Sequence, residues 1–111
     1  KTHYAKGALF ENMIINELLK KRFNKGLNQN MYFWNNKNLH EIDLILKSGN
    51  TITSIEIKSS MTLRKEYFKN LTYWQKLSGE KPQNSYVIYG GEENYSTQNG
   101  KFTSWENINS I

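Results

Sequence analysis

Cysteine is absent from this chain, which excludes disulfides and thiolate metal sites. That absence fits a reducing cytoplasm, which is the expected location. No apolar run approaches the ~18–20 residues that a membrane span needs, and no signal-peptide pattern is present, so no membrane partner is expected. Arginine occurs only at Arg22 and Arg64, so there is no arginine cluster for bidentate phosphate recognition. A glycine-rich phosphate loop is missing too: Gly90-Gly91 lacks the Gly-Lys-Ser/Thr of a P-loop. The two histidines, His3 and His40, have no partner spacing of a histidine metal site. Proline occurs once, at Pro82, and aspartate once, at Asp43.

What is present points to one small basic domain over residues 1–111. A chain of 111 residues can bury one modest core, and a 37% hydrophobic content suffices for it. The net charge of +5 favours polyanions through counterion release. Thirteen of the fifteen cations are lysines spread along the chain, and general solubility explains such a scatter at least as well. The chain opens at Lys1-Thr2-His3-Tyr4 without methionine, which suggests a piece of a longer protein or a processed one.

Residues 7–23 carry Ala8, Ile14, Ile15, Leu18 and Leu19 on one helical arc, with Lys20, Lys21 and Arg22 in the last turns and Gly26 just beyond. Three strands are predicted next: Met31 to Asn35, His40 to Lys47 and Thr51 to Ser59. Turn signals at Asn35-Asn36-Lys37-Asn38 and Ser48-Gly49-Asn50 join them into an antiparallel meander. A second helix is expected from a Thr62 cap to about Ser78, burying Phe68, Leu71, Trp74 and Leu77 and stopped by Gly79 and Pro82. Ser85 to Tyr89 reads as a strand parallel to the one before that helix. In the polar tail, Phe102, Trp105 and Ile108 can pack a last strand or turn. The predicted class is α/β, a mixed sheet flanked by helices in the order α-β-β-β-α-β.

Side chains two apart on a strand share a face, so Glu56 and Lys58 project together, away from Ile55 and Ile57. By the same alternation Asp43 lies with Glu41, opposite Ile42 and Leu44. If the hairpin aligns these polar faces, Asp43 and Glu56 converge. Two carboxylates held together repel unless a cation lies between them, and hard oxygen ligands suit Mg²⁺ or Mn²⁺. Lys58 beside them could deprotonate a water or offset phosphate charge, which outlines metal-assisted phosphodiester hydrolysis. Glu-x-Lys alone is common on half-exposed strands, where acid–base pairs merely stabilise the sheet. Glu11 adds weight, because it falls near the middle of the first helix's apolar arc, where a charge is costly unless paired or metal-bound. Glu17 lies on another side and reads as solvated. Gln75 falls in the apolar arc of the second helix and is expected to hydrogen-bond backbone. Ser59-Ser60 suits a turn, and Tyr67, Tyr73 and Tyr95 suit core or rim packing better than base stacking.

The ordered set Gly7-Ala8-Leu9-Phe10-Glu11-Asn12, Glu17-Leu18, Tyr32-Phe33-Trp34, Glu41-Ile42-Asp43-Leu44 and Ile55-Glu56-Ile57-Lys58-Ser59-Ser60 resembles the C-terminal domain of a large family of bacterial and archaeal AAA-type ATPases. That domain, of unassigned function, is similar to PD-(D/E)xK nucleases. The resemblance covers roughly residues 7–90. It implies a restriction-endonuclease-like fold with Glu11 as the helix acid, Asp43 and Glu56 as metal ligands, and Glu56 with Lys58 as the E-x-K pair. It also implies an ATPase module elsewhere in the parent chain. Ile42 stands where the motif has proline, and the Q-x-x-x-Y helix motif of some relatives is unmet, because Gly79 stands four residues after Gln75. The expected function is Mg²⁺- or Mn²⁺-dependent phosphodiester hydrolysis, with DNA ahead of RNA as partner. The alternative is an inactive nuclease-fold module that binds protein or nucleic acid for the ATPase.

Overall fold

The computed structural model describes residues 3–26, 31–35 and 40–111. Helix α1 (His3–Asn24) buries Ile14 and Leu18 completely, with Phe10 and Ile15 packed beside them. Gly26 adopts φ +69° just after it, a left-handed conformation that glycine takes without a Cβ clash. Arg22 lies in the last turns of the helix, as the sequence predicts. It is buried there, donating from Nη2 to the Lys47 carbonyl at 2.8 Å and tying the end of α1 to the sheet.

Strands β1 (Met31–Asn35), β2 (Glu41–Ser48) and β3 (Thr51–Lys58) form the expected meander. Of the predicted turn between β1 and β2, Asn36, Lys37 and Asn38 lie outside the described residues. The β2–β3 hairpin closes through Gly49-Asn50, with Ser48 opposite Thr51. Strand β4 (Ser85–Tyr89) pairs parallel with β3, as a strand–helix–strand crossover through α2 (Lys69–Ser78) requires.

The sequence-based order is incomplete. The polar tail adds β5 (Tyr95–Thr97) and β6 (Gly100–Ser104), and a 3-10 segment, Trp105–Ser110, follows. Among the described residues the sheet has six strands in the order β1-β2-β3-β4-β6-β5, with β6 parallel to β4. The second helix is also shorter than expected. A 3-10 turn, Lys65–Phe68, precedes α2, and Thr62 caps nothing: its N–H donates to Ser60 Oγ at 3.1 Å. Leu77 and Trp105, both expected to pack, are exposed, Leu77 by 61%.

The result is an α/β fold, an open mixed sheet with a helix on each face. On one face α1 covers Leu44, Leu46, Ile55, Ile57 and Ile88. On the other, Phe68 and Leu71 cover Ile42, Ile45, Val87, Tyr89 and Phe102. Leu71, Ile55 and Ile88 are fully buried; each such side chain contributes about 1.5–3 kcal/mol through burial.

Ile42 and Leu44 lie on opposite faces although they are two apart on one strand. The expected alternation across residues 41–46 is therefore broken. In the β1–β2 ladder Tyr32 pairs with Ile45 and Trp34 with Ile42, so three β2 residues span what two β1 residues span. That is a β-bulge, and it falls at Asp43-Leu44.

Candidate active site

Asp43 and Glu56 meet at the point where β2 and β3 separate. The hairpin ladder runs from Ser48–Thr51 to Leu44–Ile55, and the next pair in that register is Asp43–Glu56. There, side chains take over from the backbone. The Asp43 N–H donates to Glu56 Oε1 at 3.1 Å, and the Ile57 N–H donates to Asp43 Oδ2 at 2.8 Å. The bulge has re-aimed Asp43 into the gap, and each acid is fixed by a backbone group on or beside the other. On the far side, β4 supports β3, with Val87 opposite Glu56 and Tyr89 opposite Lys58.

Lys58 places Nζ 3.9 Å from Glu56 Oε2 and 5.6 Å over the Tyr67 ring. Its side chain is 38% exposed while that of Glu56 is 4% exposed, so the amine stands at the mouth and the acid at the base. Gly90 holds this end of β3 in place. Its N–H donates to the Ser60 carbonyl at 2.9 Å, and a Cβ there would stand 3.2 Å from the Ser59 carbonyl carbon and closer to its oxygen.

Above the pair opens a cleft of about 540 Å³ between α1 and the ends of β1, β2 and β3. Gly7, Glu11 and Asn12 line it from the helix, and Glu41, Asp43, Lys58 and Ser59 from the sheet. Glu11 continues the buried stripe of Ile14 and Leu18, as its place in the apolar arc predicts, but it is only half-buried at the cleft. Glu41, absent from the sequence-derived site, joins it. Its position two residues before Asp43 was the available signal.

Electrostatically the cleft gathers acids that are harder to ionise than usual. Burial, then Asp43 and Glu41, raise Glu56 to about 8 against the pull of the Asp43 N–H and Lys58. Burial also raises Asp43, opposed by the Ile57 N–H and Lys58 and assisted by Glu41. Glu11 is raised by burial, then by Asp43 and Glu41, with Lys58 opposing. Acids raised in concert by one another gain free energy when a cation shares their charge.

The residues match the chemistry of Mg²⁺, which binds through one or two carboxylates and fills its shell with water and substrate phosphate. Among the described residues no three His, Cys, Asp or Glu side chains gather into a group able to hold a metal ion; Asp43 and Glu56 are the pair that could offer oxygens to one. Glu11 and Glu41 contribute field to that pair.

Residues 6–108 match the family described as Domain of unknown function (DUF4143). The chain belongs to that family. No curated protein and no solved structure matches it.

The other expected residues of this DUF4143 domain lie elsewhere. Gln75 Nε2 donates to Ser85 Oγ at 2.8 Å and to the Asn99 carbonyl at 2.9 Å, the backbone-bonding role foreseen for it. His40 stacks on Tyr73 with ring centroids 3.9 Å apart, and its Nδ1 lies 3.0 Å from Asn70 Oδ1. Tyr67 and Tyr73 are half-buried rim residues, whereas Tyr95 is exposed. Among the described residues no helix is long and apolar enough to cross a membrane.

Proposed function

We propose that this domain is a Mg²⁺- or Mn²⁺-dependent phosphodiesterase of the PD-(D/E)xK type on a restriction-endonuclease-like scaffold. It acts on nucleic acid, DNA ahead of RNA, and serves an AAA-type ATPase module of the same parent chain. The observation that carries this is the reciprocal bonding of Asp43 and Glu56 across the split between β2 and β3, with the Lys58 amine 3.9 Å from Glu56.

In this function Asp43 and Glu56 would hold the ion, which would supply Lewis-acid polarisation of the phosphate and a more acidic water. The Ile57 N–H fixes the Asp43 carboxylate, so its second oxygen is aimed before any ligand arrives. As the neutral amine Lys58 would take a proton from the attacking water; as the ammonium it would instead neutralise charge growing on the phosphoryl oxygens. Glu11 and Glu41 would strengthen retention of the cation from the rim.

An inactive binding module for the ATPase is the second reading. In its favour, Glu56 is 3% exposed and already bonded by the Asp43 N–H. A cleavage assay decides between them. Single- and double-stranded DNA and RNA are incubated with this chain, and with the full parent protein, in Mg²⁺ or Mn²⁺, with Lys58→Ala as the control. Metal-dependent nicking lost in Lys58→Ala supports hydrolysis. No cleavage by either protein, together with no Mn²⁺ binding by calorimetry, leaves the inactive module.

A further inference from the structure

An apolar groove continues from the acid cleft. It has a volume of about 240 Å³ and is lined by Phe33, Trp34, Ile45, Ile52 and Trp74 among others, with Lys47 at its flank. Phe33 and Trp34 line both cleft and groove, so the two adjoin at β1, the edge strand of the sheet. Trp34 is clamped by its neighbours, edge-on to Trp74 with ring centroids 5.0 Å apart. Phe33 is 72% exposed, and its neighbour Tyr32 is 51% exposed on the same strand.

We infer that this groove takes an unpaired nucleobase, stacked on Phe33, and that the ligand of the joined cleft and groove is a single-stranded nucleic acid. This rests on the phosphodiesterase function proposed above. A ligand crossing from cleft to groove presents an anionic linkage to the ion proposed at Asp43 and Glu56, then a flat apolar ring to the aromatic wall. A nucleotide chain has that alternation built in; a peptide has no phosphodiester for the acid end. Stacking on a side-chain ring requires a free base face, which a duplex hides within its own stack. The charges agree. Among the described residues the lining of the two cavities includes two cations, Lys47 and Lys58, fewer than the basic track that follows a duplex backbone requires.

The test uses a short single-stranded DNA bearing one 2-aminopurine, with the Lys58→Ala protein so that cleavage does not confuse binding. The expected result is a fluorescence change on binding, about tenfold weaker binding in a Phe33→Ala, Lys58→Ala double variant, and weaker binding of the matching duplex. With Lys58 intact, Phe33→Ala raises KM more than it lowers kcat. Duplex and single strand bound equally, with Phe33→Ala silent, would overturn the stacking even if the protein cleaves. So would tryptophan fluorescence that responds to an apolar peptide and not to the oligonucleotide. Phe33-dependent stacking without cleavage in any metal keeps the groove's ligand and removes the hydrolase, so the two failures are separable. Melting curves show that Phe33→Ala, an exposed substitution, remains folded.

Discussion

The Asp43 N–H donates to Glu56 Oε1 at 3.1 Å, and the Asp43 side chain in turn accepts from the residue following Glu56. Two like-charged side chains thus replace the next rung of a β-ladder. A sheet selected only for stability would close that rung with backbone bonds and apolar side chains, because burying carboxylates is costly. The cost is localised in Glu56, whose carboxyl group is raised to about 8, and it determines how the protein responds to pH, metal and mutation.

The pH dependence follows directly. Glu56 titrates near 4.5 when unfolded and about 8 when folded, so between those values the folded state holds the extra proton. Stability is then greatest below about 4.5, as far as this group is concerned. It falls as pH rises toward about 8, by up to about 1.4 kcal/mol per pH unit. Glu56→Gln keeps an oxygen for the Asp43 N–H but cannot ionise. Its urea midpoint at pH 8 should exceed that of the parent protein, and between pH 5 and 8 its midpoint should fall less than the parent's. A parent protein equally stable at pH 5 and pH 8 would refute the assignment.

Metal should reverse that loss. An ion held by Asp43 and Glu56 needs both carboxylates ionised, so each ion bound below pH 8 displaces about one proton. Affinity for Mn²⁺ should then weaken about tenfold for each pH unit below about 8. Calorimetry in buffers of different ionisation enthalpy measures the released proton. In a hundredfold excess over Kd, the ion adds about 2.7 kcal/mol of stability, a Tm rise of several degrees. Asp43→Asn should abolish the rise, while Glu11→Gln, half-buried and outside the donor pair, should only reduce it.

The sequence disclosed the Asp43–Glu56 pairing because one short hairpin sets it: with Gly49-Asn50 as the loop, the register follows by counting. It could not disclose the bulge that aims Asp43. Ile42, Leu44, Ile45 and Leu46 are all buried, two on each face, and a run that is apolar on both sides has lost the alternation that reports phase. Strand β6 was legible only at Phe102, for the opposite reason. Thr103 and Ser104 are buried but polar, and Ser104 is satisfied by donating from Oγ to the Gly91 carbonyl at 2.7 Å. Hydrophobic patterning does not detect burial that hydrogen bonds sustain.

Gln75 offers a contrast between structural and functional roles. Its amide joins α2 to Ser85 at the start of β4 and to the Asn99 carbonyl just before β6, and it touches nothing in the cleft. Gln75→Ala leaves these partly buried partners without their donor and should cost about 1–3 kcal/mol. Metal affinity at 25 °C should be unchanged. If Gln75→Ala lowered Mn²⁺ affinity as Asp43→Asn does, Gln75 would belong to the site.

Gly90 couples stability to the site. It follows β4, and its backbone lies so close to Ser59 that no Cβ fits between them. The obstacle is the Ser59 carbonyl, which cannot swing aside as a side-chain tip would. Gly90→Ala must therefore push apart the end of β3 and the loop after β4, for about 1–3 kcal/mol of destabilisation by overpacking. The displaced residues are Ser59 and Ser60, directly after Lys58, so the strain reaches the amine at the mouth of the cleft. The expected signature is double: a lower urea midpoint, and weakened Mn²⁺ binding that persists at 10 °C where the variant is fully folded. Gly79→Ala is the control. Gly79 has φ +80°, and a Cβ added there would meet no atom within 4 Å, so the variant should lose stability through backbone strain alone and bind metal normally.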